Sequence, residues 1–194
     1  MLRNLFSWLL TGGVAFALAA CCGSVTCDKQ DDYADALLFK FNLDTTSTQG
    51  FGRKDIDTVY LKRYTKPTNS AVKVAVETIQ ILRTRRQDST AIVLNNNAPF
   101  TTANNLKLNS YRYNIFVVHR MKGFKPDTAR YVIDNIQLNG NYQGDGCCTY
   151  YVNQSKSAQI SQMKTYGVPT NTITYDFTKP AGQTRQRVYT LNRY

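Results

Sequence analysis

Alternation of apolar and polar side chains at every second residue is the feature that most constrains how this chain can fold. It runs from Leu37 to Leu43, from Val59 to Tyr64 and, most clearly, from Tyr111 to Val118. Because successive side chains of a β-strand point to opposite faces of its sheet, each segment is predicted to be a strand with one buried face. The alternation therefore favours a body built from β-strands.

Further runs bring the expected number to about nine short strands. They are residues 72–81, 91–94, 131–138, 148–152, 173–177 and 188–191, with turns expected at 95–99, 123–127 and 139–141. A phase shift between Val76 and Ile79 predicts a bulge or a strand end, and a second is expected near Asp134. Ser157 to Tyr166 is the one candidate for a short helix. We expect an all-β fold over residues 36–194, a single antiparallel β-sandwich or open barrel of about 8–9 short strands.

The first 20 residues have the layout of a cleaved secretory signal peptide, with Arg3 followed by an apolar run from Leu5 to Ala20. This run is short for a membrane-spanning helix and no basic flank follows it. The four residues Leu18-Ala19-Ala20-Cys21 resemble a bacterial lipobox. The resemblance implies that Cys21 becomes the lipidated first residue, so that residues 21–35 are an acidic tether on a membrane. The alternative is an ordinary signal peptide that happens to precede a cysteine.

The chain is strongly basic, with 24 Lys and Arg against 13 Asp and Glu and a net charge of +11. Such a charge suggests a polyanionic partner, and an extracytoplasmic address leaves acidic glycan or lipopolysaccharide rather than nucleic acid. An ordinary, evenly solvated surface is the alternative. The clustered candidates for polyanion binding are Lys62, Arg63, Lys66, Arg83, Arg85 and Arg86.

With Cys21 acylated, an even number of cysteines remains in an oxidising compartment, which favours two disulfides. Neighbouring strand residues face opposite ways, so Cys147 and Cys148 are expected to pair with Cys22 and Cys27, in either order. A four-thiolate zinc site is the alternative, although the spacings differ from the Cys-x₂-Cys pairs that zinc sites prefer.

Catalytic chemistry has few residues to draw on, because the chain has one histidine, His119, and one glutamate, Glu77. No nucleophile elbow, zinc-protease pair or phosphate-binding glycine loop is present. A hydrolase would need a cleft holding two of the carboxylates of Asp55, Asp57, Asp134 and Asp176. Residues 139–146 faintly resemble a calcium loop, but a hairpin turn is the stronger expectation. We assign no catalytic residue, cofactor or metal ligand.

Four Asp-Ser or Asp-Thr pairs are similar to the general O-glycosylation signal of Bacteroidota envelope proteins. The hydroxyl residues concerned are Thr45, Thr58, Ser89 and Thr128. The competing interpretation is that Asp-Thr pairs start turns and strands.

Four segments together resemble small outer-membrane lipoproteins of Bacteroidota that have no assigned activity. They are the lipobox, Phe39 to Asp44, Gly52 to Leu61, and Asp145-Gly146-Cys147-Cys148-Thr149-Tyr150. Lys29, Asp31 and Asp32 further resemble a surface-export signal, for which a solvated tether is the alternative. The resemblance implies a β-rich body on a lipid anchor at the outer membrane, facing either the cell surface or the periplasm.

Three functional hypotheses follow from the sequence. The first is a non-enzymatic structural or accessory role that includes docking to an envelope protein. The second is a surface binder of acidic glycan or lipopolysaccharide, and the third is a carboxylate-dependent hydrolase.

Overall fold

The computed structural model describes residues 33–66, 74–100, 106–119, 127–163, 169–180, 182–183 and 185–193. Single turns of 3-10 helix lie at Arg53–Asp55, Arg85–Gln87 and Leu108–Ser110. The strands are β1 (Leu37–Phe41), β2 (Thr58–Thr65), β3 (Val76–Leu82), β4 (Ile92–Leu94), β5 (Tyr111–His119), β6 (Asp127–Asp145), β7 (Cys148–Met163), β8 (Pro169–Asp176) and β9 (Val188–Leu191).

The strands form two sheets, which confirms the all-β prediction. The larger sheet has the order β3-β2-β5-β6-β7-β8, and all of its neighbouring strands are antiparallel. The smaller sheet has the order β4-β1-β9, in which β1 and β9 run parallel. One strand pair therefore departs from the wholly antiparallel arrangement expected from the sequence.

The core lies between the inward faces of these strands, as the alternation predicts. On β5, every second residue is almost fully buried, from Tyr111 through Tyr113 and Ile115 to Val117. The core members from other elements include Leu37, Phe39, Val59, Leu61, Leu94, Tyr131, Ile133, Ile160, Phe177 and Leu191. Burying such side chains stabilises a domain by about 1.5–3 kcal/mol each, so this face fixes which residues must point outward.

The expected phase shift in β6 is a β-bulge. The pairing of β6 with β7 slips between Asp134 and Gln137, and Asn135 has a positive φ of 46°. Asparagine tolerates this left-handed conformation better than most residues. The extra residue returns Ile136 to the buried side of the sheet, where it is 3% exposed.

The predicted phase shift in β3 is wrong. β3 pairs with β2 in unbroken register from Val76 to Leu82, and the inward positions are Glu77, Ile79 and Ile81. Val74 and Val76, expected on a buried face, are 43% and 55% exposed. The register places Glu77 directly opposite Arg63 of β2, so an ion pair occupies the inward position at this end of the strand.

Two other local predictions are wrong because β6 and β7 form one long hairpin. Residues 139–141 continue β6, and the turn comes at Asp145-Gly146-Cys147-Cys148, where Gly146 has a φ of 60°. Ser157 to Met163, expected to be helical, belongs to β7. This segment pairs with β6 on one side and with β8 on the other. Its alternate residues Ala158 and Ile160 are both buried.

Lys156 ties the segment before β1 to the inward face of β7. Its side chain is 2% exposed, and its ammonium donates hydrogen bonds to the carbonyls of Tyr33, Ala34 and Ala36 at 3.2, 3.1 and 2.7 Å. A fourth contact, at 3.1 Å, reaches the amide oxygen of Gln186. Burial lowers the pKa of this amine to about 8, although nearby Asp35 acts in the opposite direction. The last residues assigned to the tether are therefore packed on the domain.

Candidate functional site

The outward face of β2 and β5 combines aromatic rings with cations where a solvated sheet face would carry small polar residues. Cross-strand register places Tyr60 opposite Phe116, and Tyr64 opposite Arg112. Arg130 of β6 lies opposite Phe116 on its other side. We call the following six outward residues the aromatic–basic face: Tyr60, Lys62, Tyr64, Arg112, Phe116 and Arg130.

Two rings of this face stack on each other, and positive charge lies beside the stack. The Tyr60 and Phe116 rings stack with centroids 5.2 Å apart and planes 12° apart. The Lys62 ammonium lies 5.6 Å from the Phe116 centroid, and the Arg112 guanidinium 5.1 Å from the Tyr64 centroid. The three aromatic residues and Lys62 are half-buried, whereas Arg112 and Arg130 are exposed. Cations held over ring faces remain available to anions on the solvent side.

One end of the face carries an ion pair. Lys66 and Asp134 approach to 2.8 Å with both side chains partly exposed. Partial burial would raise the pKa of Asp134, but hydrogen bonds from the Lys66 ammonium and the Asn135 backbone N–H outweigh it and lower the pKa. Lys66 is thus already neutralised by a carboxylate of its own chain.

A cavity of about 450 Å³ adjoins the other end of the face, at the start of β2. We call it the strand-start cavity, and its lining residues are Lys54, Asp55, Asp57, Thr58, Tyr60 and Val118. Asp55 is 7% exposed, and its Oδ2 accepts a hydrogen bond from the Gly52 backbone N–H at 2.9 Å, which closes the 3-10 turn. Asp57 and Lys54 are exposed at the mouth.

The six candidates for polyanion binding do not share one surface. Arg63 is buried on the inward face of β2, where its guanidinium contacts Glu77 at 2.6 Å and lies between the rings of Phe100 and Tyr111. Arg83 is also buried, and its guanidinium donates to the carbonyls of residues 87, 88 and 90. Lys62 points outward from β2, Lys66 follows the last residue of β2 and is half-buried, and Arg85 and Arg86 are exposed in their 3-10 turn.

The four candidate carboxylates are likewise dispersed. Asp55 and Asp57 line the strand-start cavity, whereas Asp134 pairs with Lys66. Asp176 contacts Arg187 at 2.9 Å, and hydrogen bonds from Thr178 lower its pKa. Within the part of the chain that the structure describes, no three His, Cys, Asp or Glu side chains are placed to hold a metal ion.

The cysteines and the hydroxyl candidates lie in different surroundings. Cys147 is exposed in the β6–β7 turn and Cys148 begins β7, whereas Cys21, Cys22 and Cys27 lie outside the described residues. Their pairing and the lipid attachment therefore stay predictions. Of the O-glycosylation candidates, Thr45 and Ser89 are exposed in loops, while Thr58 and Thr128 are half-buried in strands.

Of the six residues of the aromatic–basic face, sequence reasoning named only Lys62 as a site residue. It missed Tyr60 and Tyr64 of β2, Arg112 and Phe116 of β5, and Arg130 of β6. The signal was present, because the alternation of β5 leaves Arg112, Asn114, Phe116 and Val118 on its non-core side. A solvated strand face usually carries polar residues, so a phenylalanine in this outward row is a signal of an interaction site. Their placement beside β2 required the strand order.

Comparisons with known proteins add no relative. No protein-family model matches the sequence, and neither a curated protein nor a solved structure is significantly similar to it. Across the described ranges, no helix is long and apolar enough to cross a membrane.

Proposed function

We propose that this protein is a lipid-anchored envelope protein of the outer membrane whose β domain binds an acidic glycan, such as the sugar region of lipopolysaccharide. The observation that carries the proposal is the Tyr60–Phe116 stack with Lys62 and Arg112 beside it. Its binding surface is the aromatic–basic face.

The chemistry of this face matches both halves of an acidic sugar. The C–H faces of a pyranose ring are apolar and pack on aromatic rings, which keep a fixed orientation when they are stacked. Carboxylate, sulfate or phosphate substituents form charge-assisted hydrogen bonds with guanidinium and ammonium groups. A shallow, solvated face of this kind predicts weak binding that falls as salt is added.

Binding without catalysis is the activity that the carboxylates favour. Three of the four candidate aspartates hold structural partners: Asp55 closes a turn, Asp134 pairs with Lys66, and Asp176 pairs with Arg187. A glycosidase needs two carboxylates facing one scissile bond. This use of the aspartates supports a binding protein over a hydrolase.

A binding assay on the full chain, purified in detergent, tests the proposal. The probes are lipopolysaccharide, the acidic polysaccharide alginate and the neutral polysaccharide dextran. The pair Lys62→Gln and Arg112→Gln should weaken binding of the two acidic probes about tenfold or more, because two charge-assisted contacts are lost. Phe116→Ala should weaken it without any change in charge.

The matched control is the pair Arg85→Gln and Arg86→Gln, which removes the same charge from an exposed 3-10 turn. We expect this control to bind as the unchanged protein does. Equal loss in both pairs would leave net charge alone as the cause, and dextran binding equal to that of the acidic probes would show that acidic groups are not recognised. Either result would refute a site for acidic glycan on this face.

The anchor and the disulfides have their own tests. Mass spectrometry of the mature protein should find Cys21 acylated at the N-terminus, and Cys21→Ser should release the chain from membranes. Peptide mapping without reduction should join Cys147 and Cys148 to Cys22 and Cys27. Protease treatment of intact cells then distinguishes a surface-exposed body, which is degraded, from one that faces the periplasm.

Docking to an envelope protein is a second candidate, favoured by the edge strand β3. Its outward Val76 and Leu82 are 55% and 70% exposed, and its outer backbone edge ends the larger sheet. An edge strand with apolar side chains can accept a strand from a partner. Crosslinking in cells should then capture one partner, and Val76→Lys with Leu82→Lys should abolish that crosslink.

A further inference from the structure

The strand-start cavity is continuous with the aromatic–basic face through one residue. Tyr60 lines the cavity and also stacks on Phe116. Val118, two residues beyond Phe116 on the same side of β5, forms another part of the cavity wall. A volume of about 450 Å³ is within the range of small-ligand pockets and accommodates a single sugar ring. A glycan lying on the stack can therefore place its next ring in the cavity.

The lining of the cavity differs in charge from the face. Asp55 and Asp57 contribute two carboxylates and Lys54 one ammonium, whereas the face presents Lys62 and Arg112 beside its stack. Carboxylate oxygens accept hydrogen bonds from sugar hydroxyl or amide groups. They repel an acidic substituent, because like charges near a partly buried site disfavour each other. Asp57 is the available acceptor, since an oxygen of Asp55 already holds the Gly52 N–H.

We propose that the strand-start cavity binds an uncharged sugar ring next to the acidic unit held on the aromatic–basic face, so that the site selects glycans in which acidic and uncharged sugars alternate. This inference rests on the proposed function. Tyr60 is shared by the two subsites, and Asp57 and Thr58 are the groups that recognise hydroxyls. A homopolymer of acidic sugars would place a carboxylate against Asp57 and lose the cavity contact.

The test compares two acidic polymers with the full chain in detergent. Hyaluronan alternates an acidic sugar with an uncharged N-acetylated sugar, and alginate carries a carboxylate on every ring. We expect tighter binding of hyaluronan oligosaccharides than of alginate oligosaccharides of equal length. Asp57→Asn should weaken the binding of hyaluronan about tenfold, because an uncharged amide accepts weaker hydrogen bonds than a carboxylate does. It should leave alginate binding unchanged or slightly stronger.

The control variant is Asp145→Asn, which removes one exposed carboxylate at the far hairpin turn. Equal binding of the two polymers, with no effect of Asp57→Asn on either, would overturn the cavity inference while the face remains a binding surface. Failure of both polymers to bind would instead refute the proposed function. If Asp57→Asn abolished the binding of both polymers without changing the unfolding midpoint, the cavity would not distinguish uncharged from acidic sugar rings. That result would also overturn the inference.

Discussion

Lys62 and Arg63 are neighbours in sequence, yet they belong to opposite faces of the larger sheet. Arg63 points inward, is 3% exposed, and has its charge balanced by Glu77 between two aromatic rings. Lys62 points outward, with its ammonium over the Phe116 ring and open to solvent on the other side. The inward face uses a cation to hold strands together, whereas the outward face leaves its cations accessible to solvent. Total basic charge therefore overstates the cationic surface that a partner can reach.

Removing the inward cation should have the largest effect on stability. Arg63→Met removes the guanidinium that contacts the Glu77 carboxylate and should lower the free energy of unfolding by about 3 kcal/mol. Lys62→Met, one residue away on the outward face, should change it by less than about 0.5 kcal/mol. Urea unfolding followed by tyrosine fluorescence measures both.

A double variant shows whether the lost charge balance is the cause. Arg63→Met together with Glu77→Met should recover part of the loss, because a well-packed apolar pair can replace a buried ion pair. Similar losses for Lys62→Met and Arg63→Met would mean that the two faces do not differ in the way described.

The second inward cation, Lys156, should respond to pH. Lys156→Met removes the donor to three carbonyls and should lower the free energy of unfolding by about 1–3 kcal/mol at neutral pH. In the folded chain this amine loses its proton near pH 8, whereas in the unfolded chain it keeps its proton up to about pH 10.5. Between these values the unfolded state binds more protons, so stability attributable to Lys156 rises with pH.

Subtracting the unfolding free energy of Lys156→Met from that of the unchanged protein separates the contribution of Lys156 from those of the other titratable groups. The difference in unfolding free energy between the unchanged protein and Lys156→Met should therefore widen from pH 8 to pH 10. A difference that stays constant would mean that the buried amine does not lose its proton in this range.

The two faces were predictable to different degrees from the sequence. The period of two placed Tyr111, Ile115 and Val117 in the core, because burial of one strand face is a local and repeated pattern. It could not place Arg63, which occupies an inward position only because register brings Glu77 opposite it. Lys156 was missed for the same reason, since its carbonyl partners lie about 120 residues earlier in the chain. Polar residues at inward positions depend on tertiary pairing, which local periodicity does not contain.

The bulge at Asn135 decides which residues of β6 face inward. A substitution there should therefore disturb the division between inward and outward faces, with a smaller effect than loss of an inward cation. Asn135→Val should lower the free energy of unfolding by about 1–2 kcal/mol, because a β-branched residue disfavours a φ of 46°. Asn135→Gly should be nearly neutral. Asn171→Val, the same substitution at an exposed position of β8, serves as the control and should cost less than about 0.5 kcal/mol. Equal effects of the two valine substitutions would argue against a conformational requirement at the bulge.

The smallest expected effect concerns the outward ring stack. A double-mutant cycle with Tyr60→Ala and Phe116→Ala should give a coupling of about 0.5–1.5 kcal/mol in unfolding free energy, because stacked rings interact beyond the area that they bury. The exposed Tyr142–Tyr151 contact, with centroids 5.2 Å apart in the outer half of the hairpin, provides a reference cycle on the same protein. If the stack is a preformed platform, its coupling should persist in high salt, where the cation–ring contacts weaken. A coupling near zero would mean that the two rings move independently, and a ligand would then have to order them itself, which lowers the affinity that the outward face can provide.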